Sequence, residues 1–173
     1  EPGYEYRATL ESEMEAAMAG GITSLVCPPD TEPVLDEPGL IEMLKFKARQ
    51  LNLSKVYPLG ALTTGLSGET LTEMAELTEA GCVGFSQAES PIRDLRVLLQ
   101  AMKYARNFGL TVFLRPTEPN FSKGGVAHAG AYASRMGLSG IPVMAETIAL
   151  QAYFELVRAT GTRMHICRIS SAK

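Results

Sequence analysis

An α/β fold with parallel strands is predicted, on three observations. Short β-rich stretches alternate with helical repeats along the chain. Each strand candidate is separated from the next by a helix, an order that demands parallel strands and right-handed crossovers. No strand is followed by G-x-G-x-x-G, and G-x-x-x-x-G-K-[ST] is absent, although a nucleotide-binding doubly wound sheet would need such a loop. An open doubly wound sheet and a (β/α)8 barrel both fit the alternation, and the missing phosphate loops favour the barrel. About five strands cannot close eight positions. The expected form is therefore a partial barrel, with strands lying beyond the ends or copies of the chain covering the edges as a homo-oligomer.

The elements follow in order. Leu10, Met14, Ala17 and Met18 lie at helical spacing and predict a helix over Arg7 to Ala19, stopped by Gly20-Gly21. Thr23 to Cys27 is a short strand closed by Pro28-Pro29-Asp30. Leu40, Ile41, Leu44 and Ala48 share one face of a helix from Pro38 to Leu51. Lys55 to Leu62 reads as the next strand, Gly65 to Gly68 as a loop, Leu71 to Glu79 as a short helix ending at Gly81, and Cys82 to Ser86 as a strand. A helix from Ile92 to Asn107 carries Leu95, Leu98, Leu99, Met102 and Tyr104, and Leu110 to Leu114 is the strand after it. Pro116 to Gly140 breaks the rhythm with Gly124-Gly125, two prolines and a short Ala-rich helix. A long connection after a strand is often functional. Pro142 to Thr160 is the longest helix, and Arg163 to Ser170 the last strand. Glu1-Pro2-Gly3 reads as a turn and Ser171-Ala172-Lys173 as the start of a loop.

At 173 residues the chain suits one domain, and its abrupt opening suggests a central fragment of a longer barrel. A net charge of −3 offers no basic field to gather nucleic acid or an anionic membrane. No apolar run is long enough to span a bilayer. Cys27, Cys82 and Cys167 are far apart in apolar surroundings and are expected as buried thiols. An odd count excludes a complete disulfide set, so the expected compartment is the cytoplasm.

In a parallel α/β fold, chemistry sits where strands end. The strand ends here carry Asp30, Thr63-Thr64, Ser86-Gln87, Arg115 and Arg168, with no histidine among them. Strand alternation, counted back from an inward Arg168, turns His165 towards the helix layer as a packed structural residue. His128 sits in the irregular segment as a surface or helix-contact residue. No H-x-H or H-E-x-x-H pair is present, and no set of residues assembles the three or four ligands a zinc ion takes. Arg115 and Arg168 end apolar strands. Either each pairs with a nearby acid such as Glu118 or Glu146, or the two guanidinium groups converge to bind an anion and repel a divalent cation.

An ordered set of motifs covers the whole chain. It comprises Glu1-Pro2-Gly3-Tyr4-Glu5-Tyr6, Ala16-Ala17, Gly20-Gly21-Ile22-Thr23 and Cys27-Pro28-Pro29-Asp30-Thr31-Glu32-Pro33-Val34. It continues with Gly60-Ala61-Leu62-Thr63, Gly81 to Ser86 and Gly124-Gly125-Val126. It closes with Ser134-Arg135-Met136-Gly137-Leu138, Gly140-Ile141-Pro142 and Arg163-Met164-His165-Ile166. Together these resemble the bacterial dihydroorotases of the cyclic amidohydrolase superfamily. The resemblance implies a metal-dependent (β/α)8 barrel that interconverts carbamoyl aspartate and dihydroorotate, with a zinc-bound hydroxide attacking the ring carbonyl. It places the family's metal aspartate on Gln87 and two of its metal histidines on Arg115 and Arg168. Its substrate-contacting asparagine falls on Asp30. The first histidine pair and the general-base aspartate fall outside the chain. Glutamine is a poor, neutral substitute for a carboxylate, and arginine stays protonated and cannot ligate a cation. The resemblance therefore points to a non-catalytic dihydroorotase-like protein with no bound zinc. Such relatives serve as assembly partners of aspartate transcarbamoylase. An active amidohydrolase using ligands outside the chain, and an anion-binding sensor barrel, are the alternatives.

Overall fold

A computed structural model describes residues 3–171. Glu1 and Pro2 of the expected opening turn, and Ala172-Lys173 of the expected final loop, lie outside the described residues. The first helix, α1 (Leu10–Ala19), starts three residues later than periodicity suggests. Thr9 fixes that boundary: its Oγ1 accepts from the Ser12 backbone N–H at 3.1 Å, and Ser12 Oγ accepts from the Thr9 N–H at 3.0 Å. Strand β1 (Ser24–Cys27) leads through the proline turn to α2 (Pro38–Leu51), which opens on Pro38, where the missing N–H costs nothing.

The predicted strand Lys55 to Leu62 divides into β2 (Lys55–Pro58) and β3 (Gly60–Ala61). β2 pairs in parallel with β1, from Ser24 opposite Lys55 to Cys27 opposite Pro58. The Leu59 N–H still donates to Cys27 at 2.9 Å, whereas the Gly60 N–H donates to Gly84 at 3.0 Å. One extended segment thus hands over from β1 to the strand on its other side. That neighbour is β4 (Phe85–Ser86), reached through a 3-10 turn (Thr64–Leu66) and α3 (Met74–Ala80). It is followed by α4 (Leu95–Asn107), which Asp94 caps at the Arg96 N–H. Then comes β5 (Thr111–Leu114).

The irregular segment is more ordered than its composition suggests. It holds α5 (Pro119–Ser122), β6 (Ala127–His128), α6 (Ala131–Arg135) and β7 (Gly140–Ile141), with β6 and β7 paired in parallel as a two-stranded ribbon. α7 (Met144–Thr160) and β8 (Arg163–Ile166) complete the chain. The main sheet runs β3-β4-β5-β8, all parallel, and the β1-β2 pair continues it through the shared extended segment.

Helices cover one face of this sheet. Leu62, Phe85, Val112 and Leu114 point into a core with Ile41, Leu44, Met74, Leu77, Leu98 and Met102. Burying side chains of this size contributes about 1.5–3 kcal/mol each. The opposite face, carrying Val26, Tyr57, Phe113 and His165, is covered by no helix among the described residues and stays largely open, with Val26 52% exposed. A parallel sheet with one covered and one open face fits a segment of a barrel wall rather than a doubly wound sheet, which needs both faces covered. Of the three cysteines only Cys82 is fully buried; Cys27 and Cys167, at or just past strand ends, are partly exposed, and Cys27 packs against the edge of the core.

Candidate functional site

The strand ends gather on one rim of the open sheet face, around a cleft of about 490 Å³ lined by Asp30, Ser86, Ala88, Glu89, Arg115, His165, Cys167 and Arg168. Arg115 and Arg168 do come together there, but neither pairs with Glu118 or Glu146. Both close on Glu89: Arg115 Nη1 donates to Oε2 and Arg168 Nη1 to Oε1. One carboxylate therefore joins the ends of three adjacent strands, β4, β5 and β8. The Tyr153 hydroxyl donates to the Arg115 carbonyl at 3.3 Å, tying the same rim to α7.

Two residues in the left-handed backbone region make this possible. Ala88 has φ 49° and Arg168 has φ 56°, conformations that cost a side-chain-bearing residue roughly 1–2 kcal/mol. At Ala88 the turn swings Glu89 over the rim. At Arg168 it breaks the two-residue alternation of β8, so Arg168 falls on the same face as His165. This overturns the expected orientation of His165. It stands opposite Phe113 in the β5–β8 ladder, with its ring 5.0 Å from that of Phe113 on the open face.

Gln87 is elsewhere. It is 2% exposed and turned to the helix side. Its Nε2 donates to Thr63 Oγ1 at 2.8 Å, and the Thr63 hydroxyl lies 3.1 Å from its Oε1. Thr63 Oγ1 also accepts from the Gly68 N–H at 2.9 Å. Gln87 thus locks the end of β3 to the loop beyond it, and its amide bonds to Thr63 rather than to either arginine. Ala88, which has no donor atom, faces the cleft instead.

A second cleft, of about 280 Å³, opens between the end of β5 and the β6–β7 ribbon, and takes in His128, Glu146 and Ser170. Glu146 sits in the first turn of α7 and accepts from Ser170 N–H at 2.9 Å, Ser170 Oγ at 2.7 Å and Ser171 N–H at 2.9 Å. Burial pushes its carboxyl up, but these donors together outweigh that and hold it below the usual carboxylate range. Glu146 therefore anchors the loop after β8.

The donor set does not fit a zinc ion. Gln87 is neutral and engaged with Thr63, Arg115 and Arg168 are cations, and Glu89 is held by both. Among the described residues no three His, Cys, Asp or Glu side chains are grouped to hold a metal. Nor, among the described residues, is any helix long and apolar enough to cross a membrane. Nothing local in the sequence marks Glu89 as the partner of the two arginines. Its partners lie 26 and 79 residues away. The usable signal was its position just past a strand end, on a strand next to the one that ends at Arg115.

A family model described as dihydro-orotase-like matches residues 1–173. The chain is 47% identical over its full length to a dihydroorotase-like protein of Pseudomonas putida and 45% to one of Pseudomonas aeruginosa, spanning 41% of each. It is 38% identical over 172 residues to a dihydroorotase of Anaeromyxobacter sp. strain K, spanning 40% of it. The fold resembles the L-hydantoinase (dihydropyrimidinase) of Arthrobacter aurescens, with a TM-score of 0.70 at 19% identity over 94% of this chain and 37% of that one. It also resembles the dihydroorotase of Saccharomyces cerevisiae in complex with 5-fluoroorotic acid, with a TM-score of 0.66 at 14% identity over 90% of this chain and 43% of that one.

Proposed function

The chain belongs to the dihydro-orotase-like family, and from that premise we propose that it is part of a catalytically inactive member acting in pyrimidine biosynthesis in the cytoplasm. Its role is to scaffold the assembly of aspartate transcarbamoylase. One observation carries this reading. At the rim where the resemblance puts metal ligands, two arginines are closed on Glu89 and Gln87 is spent on Thr63. A divalent cation there meets two guanidinium charges and no free carboxylate or imidazole pair, so the usual generation of a metal-bound hydroxide has no footing in these residues. On this reading Gln87, Arg115, Arg168 and Asp30 stand where the resemblance puts the metal and substrate contacts, on a buried core that supports the sheet.

The partnership is tested by co-expressing the intact protein with aspartate transcarbamoylase from the same organism and measuring the mass of the assembly by light scattering. Co-elution at a fixed ratio, with transcarbamoylase falling to a smaller species when the partner is omitted, supports the role. Independent elution and an unchanged transcarbamoylase assembly refute it. A second reading, an active dihydroorotase with ligands outside this chain, is favoured by the 38% identity to a protein of that name. Its signature is stoichiometric zinc in the intact protein.

A further inference from the structure

In the Arg115–Glu89–Arg168 bridge two cations share one carboxylate at the rim of the open sheet face. Two guanidinium groups from neighbouring strands face each other, and each takes one oxygen of the same carboxylate. Each guanidinium gives one Nη1 donor to one oxygen, so the pair together offers a carboxylate two charge-assisted hydrogen bonds. The bridge lies on the wall of the 490 Å³ cleft and is reached from solvent, Glu89 and Arg115 each being 42% exposed. Glu89 follows Ala88 at φ 49° and Arg168 itself has φ 56°. Backbone held in this costly region on both sides marks an arrangement that the surrounding structure enforces.

We propose that Arg115 and Arg168 form a binding site for a small carboxylate, and that the Glu89 side chain is its resident, competing occupant. Glu89 cancels one of the two positive charges and fills the space between the guanidinium groups. A free carboxylate must displace it to bind. The other acid on the cleft wall, Asp30, disfavours a highly charged ligand, so the class is a mono- or dicarboxylate of modest size. The site does not depend on the assembly role, and its failure leaves that role untouched.

The test uses the intact protein and malonate as the probe, titrated calorimetrically at constant ionic strength with chloride as the counter-salt. Removing the resident carboxylate by Glu89→Ala is expected to tighten malonate binding at least tenfold over the parent. Glu89→Gln, which keeps the side-chain volume and removes the charge, is expected to do the same to a lesser degree. Adding Arg168→Ala to Glu89→Ala is expected to abolish the gain. The proposal is overturned if folded Glu89→Ala binds malonate no better than the parent, or if the gain survives loss of Arg168. It is also overturned if both Glu89 variants fail to fold, since the bridge is then a structural tie and not an occupied site.

Discussion

Replacing Thr63 with valine keeps the shape of the side chain and deletes one hydroxyl. Thr63 is fully buried, and that hydroxyl accepts from the Gly68 N–H at 2.9 Å and from Gln87 Nε2 at 2.8 Å. Both donors are buried, so neither finds water when the hydroxyl goes. An orphaned buried donor costs about 1–3 kcal/mol. Two of them, with some relaxation of the flexible Gln87 amide, give an expected loss of about 2–4 kcal/mol. At a urea dependence of about 2 kcal/mol/M the unfolding midpoint falls by about 1–2 M. Equilibrium unfolding of the intact protein, followed by far-UV circular dichroism, reads this directly. A cycle with Gln87→Leu isolates the pair. The double variant lacks the amide and leaves only the Gly68 N–H unpaired, so it is expected to be less destabilised than the sum of the singles by about 1–2 kcal/mol. A midpoint shift under about 0.3 M for Thr63→Val, or strict additivity in the cycle, refutes the view that Gln87 is a structural tie.

Two further outcomes follow from packing and titration. Gly84→Ala places a methyl group 2.7 Å from the Thr111 carbonyl oxygen and 2.8 Å from the Phe113 ring; the backbone atom cannot yield, and a thermal melt is expected to report a loss of about 1–3 kcal/mol. Burial pushes the Cys82 thiol from 9.0 to about 12 and the Tyr153 hydroxyl from 10.0 to about 12. In both cases the unfolded chain loses its proton first, so their stabilising effect is complete below pH 9 and is lost as pH rises from about 9 to 12. Urea midpoints measured across that range are expected to fall steadily, less steeply in Cys82→Ala and Tyr153→Phe; a flat profile in the parent contradicts the assigned burial.

The helix and strand order was legible because apolar periodicity is set by which face each element buries, and α2, α4 and α7 bury one stripe each under the sheet. The strand ends were legible for the same reason, and Arg115 and Arg168 do meet at one rim, whereas Gln87 is bonded to Thr63 instead. The pairing of the two arginines was not legible. Alternation along β8 gives the wrong face for His165, because a left-handed residue at Arg168 resets the register and nothing local in Cys167-Arg168-Ile169 announces it. The partner choice of Arg115 and Arg168 is set by strands adjacent in space and distant in sequence, so nearby acids such as Glu118 do not foretell Glu89. The β6–β7 ribbon was missed because each strand is two residues long and has no period to show.

The metal content and turnover of the intact protein test most directly whether these strand ends have lost their metal site. The protein is stripped with a chelator, reconstituted with zinc, freed of loose metal and measured for zinc per chain and for zinc-dependent hydrolysis of dihydroorotate. The expected result is well under one zinc per chain and no zinc-dependent hydrolysis. One or more tightly held zinc ions per chain, with turnover that disappears on chelation and returns with zinc, contradicts it.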